Sequence, residues 1–318
     1  MQTLRTGVVS FLNSRPLIDG LDRRGDVRLI FDVPSALAAR LECGELDVAL
    51  VPIIDVIRSE GRLRVVSDGC IACDGETMTV RVFSQTPPDR IQTLWVDGDS
   101  HTSIALATVL WRELFGRALE VRPFDSRAQS VQDCPSVLLI GDKVVRTQGG
   151  FAYEIDLGGA WRQHTGLPFV FAVWAAHARG DRQGAGFDPS RDRKAAGTID
   201  REQAARATRF CSSRDCEGAG LCGGPSLFEL LGAARDRGVA RAREIAVQDG
   251  PPRWWPAELA VRYLTRCLKF KLDARYVEGA DLFARLCGRY GLVPVDTEIE
   301  WPEKLLASAN SEAPAACP

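Results

Sequence analysis

The stretch TGVVSFLNSRPLIDG (Thr6–Gly20) sets an apolar run against a polar loop. Val8, Val9, Phe11 and Leu12 group around Ser10, and Asn13, Ser14 and Pro16 follow, a pattern that reads as strand end, turn and helix start. A secretory leader needs a basic stretch, an apolar segment of about 7–15 residues and a small-residue cleavage site, and the sequence before this strand offers none of them. No later run reaches about 18 uninterrupted apolar residues, so no transmembrane helix is expected. These features lead to the expectation of a soluble, cytoplasmic protein.

Outward from this strand, elements alternate. Val27 to Phe31 reads as a second strand, and PSALAARLECG (Pro34–Gly44) as a helix with Pro at a favourable first position and Gly past its end. DVALVP (Asp47–Pro52) is a short apolar strand and TMTVRVFS (Thr77–Ser84) a longer one. This alternation predicts an α/β domain with a mainly parallel sheet. A second unit follows, with strands at Gln92 to Val96, Leu119 to Val121 and Val137 to Ile140 and a helix from near Thr102, whose Ile104, Ala107, Trp111 and Leu114 share one face. FVFAVWAA (Phe169–Ala176) is a long apolar strand, after which ELAVRYLTRCLKF and VEGADLFARLCGRYGLV read as helices.

A middle unit bounded by two long strands implies two lobes joined by a doubly crossed hinge, with a ligand cleft between them. The expected layout is a discontinuous lobe 1 of residues 1–84 plus 169–301 and a lobe 2 of residues 85–168. Residues 177–224 are rich in Gly and Arg and poor in large apolar side chains, as expected of a mobile insertion. Residues 302–318 read as a frayed tail.

At 318 residues and 45% hydrophobic composition, the chain is long enough for a well-buried two-lobed core. A net charge of -2 gives no general attraction to nucleic acid. Ten cysteines without a leader are expected to be reduced thiols, and three histidines argue against a histidine-rich metal site. Cys70 and Cys73 have CxxC spacing, which leaves a thiolate site with Cys211, Cys216 and Cys222 conceivable, although that second group lacks the spacing and lies far away. No metal is expected. Phosphate-binding and dinucleotide-binding glycine loops and a nucleophile elbow are all missing from the sequence.

Polar residues collect at strand-to-loop transitions. In DGDSHTSIAL (Asp97–Leu106), Ser100, Thr102 and Ser103 sit beside the unpaired NH groups of a helix start, which suits a carboxylate or equally an ordinary Ser100 cap. His101 beside Ser100 is not a dyad by adjacency. Asn13 offers an amide that both donates and accepts, or merely shapes its turn. The Thr79 hydroxyl faces the cleft or pairs within its sheet, and Asp142 follows a strand, where it caps the next helix or acts as a base.

Taken in order, SFLNSRPL (10–17), GELDVALVP (44–52), CDGETMTVRVFSQ (73–85), DGDSHTSIAL (97–106), LLIGDKVV (138–145) and DLGGAWRQHTGLPFVFAVWAA (156–176) resemble the chorismate dehydratase family of menaquinone biosynthesis. The resemblance spans most of residues 6–176 and continues more weakly through about Tyr263 to Val293. It implies a two-lobed fold similar to type II periplasmic binding proteins, with a central interlobe cleft and no cofactor. It also implies loss of water from chorismate to give 3-[(1-carboxyvinyl)oxy]benzoate, the opening of the futalosine route. The family's catalytic Asn falls at Asn13, and its hinge-strand hydroxyl, commonly Ser, at Thr79. Its helix-start motif often carries Arg where this chain has His101. Matched positions Ser10, Ser100, His101, Thr102, Ser103, Asp142, Thr165 and Gly166 are the expected substrate contacts. In the family the substrate's own enolpyruvyl carboxylate is the base, oriented by the residue at Asn13. The alternatives are a non-catalytic small-carboxylate solute-binding protein of the same fold, and the related 1,4-dihydroxy-6-naphthoate synthase, whose N-terminal pattern differs from SFLNSRPL.

Overall fold

Val48–Pro52 is buried at every position, which only a strand covered on both faces achieves. It is the third strand in a computed structural model that describes residues 3–96, 98, 101–124, 130–147, 149–178 and 225–306. Strands β1 (Leu4–Val9), β2 (Val27–Asp32), β3 (Val48–Pro52) and β4 (Leu63–Cys73) precede β5 (Val80–Ser84), β6 (Thr93–Val96), β7 (Glu120–Pro123), β8 (Ser136–Ile140) and β9 (Tyr153–Asp156). Strands β10 (Phe169–His177) and β11 (Leu268–Lys271) complete the set. One sheet has the order β11-β4-β10-β3-β1-β2, the other β7-β6-β8-β5-β9. Both belong to the unit formed by residues 1–178 and 227–318. The second unit, residues 179–226, falls almost wholly outside the described residues, and with it go the expected insertion and its cysteines Cys211, Cys216 and Cys222.

The sheets are mixed, which corrects the expectation of mainly parallel pairing. In the first, β1 pairs parallel with β2 and β3, but β10 runs antiparallel to both β3 and β4, and β11 is antiparallel to β4. Helix-linked β1, β2 and β3 obey the parallel rule, whereas β10 returns to the sheet from the other one and so enters reversed. The chain leaves the first sheet after Cys73, and β5, read from sequence together with 77–79 as one long strand, pairs only with β8 and β9 of the second sheet. Residues 74–79 are therefore a crossing segment, with Met78 at a φ of 70°.

Helices α1 (Pro34–Glu42), α2 (Ile53–Arg58), α3 (His101–Phe115), α4 (Asp142–Arg146) and α5 (Leu157–Thr165) lie among these strands. In α3, Leu106 and Leu110 have no accessible surface, and burying each contributes roughly 1.5–3 kcal/mol. Ala107 and Trp111 are buried as their spacing predicts, but Leu114 remains 41% exposed. The helix is packed by α2, α5, β8 and β10, so its buried surface is broader than one stripe. Beyond residue 224 come α6 (Leu227–Ala240), α7 (Ala242–Asp249), α8 (Ala257–Arg262) and α9 (Ala274–Arg289).

ELAVRYLTRCLKF does not stay helical. It is α8, then a π-helical turn over Tyr263–Cys267, then β11, in which Leu268 and Phe270 are buried and Lys269 and Lys271 exposed. The open edge of β4 accepts this period-two segment, and pairing overrides the local helical pattern. The tail also begins later than expected, since Leu305 is 3% exposed and packs with the core; residues 307–318 lie outside the described residues.

The two crossings between the sheets are tied to each other. Gly158, in the first turn of α5, lies so close to the outgoing crossing that a Cβ would come within 2.5 Å of Cys73 Sγ and 2.7 Å of the Gly75 carbonyl. Arg162 Nε reaches Asp74 at 2.8 Å. Asp156 caps α5 by accepting from Gly159 N at 3.0 Å, and its carboxylate also accepts from Thr77 N at 2.9 Å and Met78 N at 2.7 Å. Met78 holds a left-handed backbone that a non-glycine residue rarely adopts, and these NH bonds secure it.

Candidate functional site

A cavity of about 570 Å³, including its open mouth, is lined by residues from both sheets. Its polar contributors are Asn13, Thr77, Thr79, Ser103 and Tyr263, and among the described residues no charged side chain lines it. Apolar walls come from side chains such as Val9, Leu50, Ile71, Ile140 and Phe171. The lining sets a few fixed hydrogen-bonding groups among apolar side chains, the usual composition of a small-molecule site.

Asn13 reaches the cavity because the segment after β1 tightens into a 3-10 helix, Leu12–Ile18. Buried Ser14 fixes that turn by donating to Val9 O at 2.7 Å, with Phe11 O at 2.9 Å. This gives the SFLNSRPL motif a physical division of labour: its second serine shapes the backbone and the preceding Asn is presented. The Asn13 Oδ1 atom is buried and accepts no hydrogen bond among the described residues. Beneath it, Gly141 has a φ of 60° and donates to Thr79 O at 2.9 Å; a side chain there would meet the Phe11 ring at 3.2 Å. Glycine is thus required by both conformation and closeness.

Thr79 is buried and ends the crossing segment. Its Oγ1 lies 2.8 Å from the Tyr263 hydroxyl, and both residues line the cavity. Tyr263 sits on the π-helical turn, an irregularity that often marks a functional position. Its ring stacks on Trp255 with centroids 4.7 Å apart. Burial raises the Tyr263 pKa strongly, Asp142 adds to the rise, and hydrogen bonding by Thr79 and Asn13 opposes it, so the phenol is neutral.

The structure brings together only some of the residues singled out by sequence. Asn13, Thr79 and Ser103 line the cavity, Ser103 from the first turn of α3. Thr102 is turned into the protein, donating to Phe171 O at 3.1 Å and accepting from Ile54 N at 3.4 Å. His101 pairs through Nδ1 with Asp55 at 2.8 Å and is not among the cavity residues. Asp142 is likewise off the lining. It accepts from Trp255 Nε1 at 2.7 Å, and burial raises its pKa against the opposing pull of Trp255, the Leu12 NH, Arg253 and Arg146.

Ser10 is exposed and its carbonyl accepts from Arg253 at 3.3 Å. Thr165 donates to Trp161 O at 2.9 Å, and Gly166 takes a φ of 73° to end α5; neither lines the cavity. Ser100 lies outside the described residues. Cys70 and Cys73 are buried thiols with pKa values pushed up by desolvation, and no group of His, Cys, Asp or Glu able to hold a metal occurs among the described residues.

Two functional residues escaped the sequence reading. Tyr263 was hidden inside an apparent helix, and Asp156 acts on the distant Thr77–Met78 turn rather than only on its own helix. The available signal for Asp156 was its place directly before a helix start, and for Tyr263 the weaker continuation of the family pattern.

The family model described as menaquinone biosynthesis matches residues 4–200. Over 187 residues the chain is 29% identical to the chorismate dehydratase of Thermus thermophilus, covering 53% of this chain and 68% of the relative. Among solved structures, a protein from Archaeoglobus fulgidus superposes with a TM-score of 0.59 at 14% identity, covering 92% of this chain and 98% of its own. The periplasmic aliphatic sulphonate binding protein of Escherichia coli gives 0.57 at 14% identity, with coverage of 96% and 99%. These structural likenesses establish a periplasmic-binding-protein fold, as the sequence pattern implied, and no helix among the described residues is long and apolar enough to cross a membrane.

Proposed function

The chain belongs to the menaquinone biosynthesis family, and we propose that it is a hydro-lyase that dehydrates chorismate to 3-[(1-carboxyvinyl)oxy]benzoate. The observation that carries this reading is the placement of Asn13 and Thr79 on the wall of one cavity that no charged side chain lines among the described residues. Its relative in Thermus thermophilus bears the name of the same activity. A biosynthetic role of this kind suits a cytoplasmic setting, with the two sheets as lobes around the cleft.

The chemistry demands little of the protein. The ring carbon next to the carbinol gives up its proton to the substrate's enolpyruvyl carboxylate, and the electron pair enters the conjugated ring. The carbinol C–O bond then breaks, and the departing hydroxide takes the proton back from the carboxylic acid as water. Aromatisation drives the second stage, so the protein has to orient the groups and stabilise charge on the ring carboxylate. Asn13 serves as the amide that orients the reacting centre, and Thr79 as a hydroxyl beside it. The first turn of α3, where Ser103 reaches the cavity, supplies NH groups and a favourable dipole for a carboxylate.

The identity of the product tests the reading. Incubated with chorismate without added metal or nucleotide, the protein should yield a product lighter by one water with the proton spectrum of a meta-substituted benzoate. Chorismate recovered intact, together with tight binding of a different small carboxylate, would support a solute-binding role instead.

A further inference from the structure

We infer that Tyr263 is a positioning residue that polarises Thr79, so that Thr79 and Asn13 together form a socket for the hydroxyl group lost from the ring. This inference rests on the dehydration reading and assigns the pair a direction. All three residues line the cavity, from three separate parts of the chain: the segment after β1, the crossing before β5 and the π-helical turn before β11.

The direction follows from counting protons. A neutral phenol has one hydrogen to give. Among the described residues Thr79 Oγ1 is the one partner recorded for the Tyr263 hydroxyl, and a buried O–H is rarely left unpaired. In this proposal the single Tyr263 proton goes to Thr79 Oγ1, 2.8 Å away. Thr79 then keeps its own hydroxyl proton for the cavity. On the same cavity wall, Asn13 Oδ1 is buried with no hydrogen-bond partner among the described residues. The cavity is thereby offered one donor, on Thr79, and one acceptor, on Asn13.

A ligand hydroxyl is the group that complements this pair, because it donates once and accepts at its lone pairs. Of the groups on chorismate, the ring hydroxyl is the only one of this kind. Its proton goes to Asn13 Oδ1, and the Thr79 proton meets its oxygen, where negative charge grows as the C–O bond breaks. Stacking on Trp255, whose indole is anchored to Asp142, holds the phenol in register. A hydroxyl is all that Thr79 needs in order to take part, which accounts for Thr replacing Ser at this position.

The test is a double-mutant cycle on Tyr263→Phe and Thr79→Val, read both by kinetics and by thermal unfolding. Tyr263→Phe should lower kcat about tenfold with KM changed less than about threefold, since an interaction felt mainly in the transition state is lost. Thr79→Ser should retain turnover. The Tyr263→Phe/Thr79→Val double variant should turn over no more slowly than Thr79→Val alone, because the phenol acts only through the threonine. Multiplying losses, or an unchanged kcat in Tyr263→Phe, would overturn the assignment.

Thermal unfolding judges the hydrogen bond without reference to activity. The double variant should melt no lower than the less stable single variant, and strictly additive losses would contradict the bond. A wild-type protein inert to chorismate would refute the dehydration reading and with it the socket's occupant, while the melting cycle would still decide whether Tyr263 and Thr79 act as a unit.

Discussion

Replacing Asn13 with Ala should lower kcat for chorismate by about 100- to 1,000-fold, the effect of removing one preorganised polar group from a reacting centre. The unfolding temperature should scarcely move. Asn13 Oδ1 makes no hydrogen bond among the described residues, and the turn around it is held by Ser14 instead. Turnover within a factor of about three of wild type would remove Asn13 from the mechanism. The contrast with Ser14 is informative, since a buried serine bonded to Val9 O has a structural effect when lost.

The second large effect concerns stability. Asp156→Ala should destabilise the fold by about 3 kcal/mol or more, because the backbone NH groups of Thr77, Met78 and Gly159 lose their acceptor at once. Part of this is an ordinary N-cap, worth about 1 kcal/mol, and the rest is the crossing segment. Released from Asp156, Met78 has no reason to keep its left-handed backbone, and Thr79 next to it should shift out of register with Tyr263. Urea unfolding and chorismate turnover should therefore fall together in this variant. A loss no greater than that of a surface cap, with full activity, would show that the crossing is held by other contacts.

How far the sequence could be read depends on the range of the interactions concerned. The β1 strand, the turn at Asn13, helix α1 between Pro34 and Gly44 and the buried β3 strand were legible because short-range chemistry decides each of them. The order of motifs carried the fold and brought Asn13 and Thr79 to notice. What it missed depends on long-range pairing. The direction of β10 follows from its return from the second sheet, and β11 forms because β4 has an edge to offer.

The same limit applies to individual side chains. Thr102 and Ser103 are neighbours in the first turn of α3, yet one turns inward to Phe171 O and the other lines the cavity. Composition and spacing do not distinguish them. Tyr263 is reached only when the π-helical turn is seen, and its partnership with Thr79 joins positions 184 residues apart.

The central claim, that this cavity performs a reaction rather than merely holding a ligand, is tested most directly by the number of chorismate molecules consumed per protein molecule. With chorismate in large excess, consumption should continue for many turnovers and release the enolpyruvyl benzoate in equal amount. Uptake that stops at one chorismate per chain, with the ligand recovered unchanged, would contradict it.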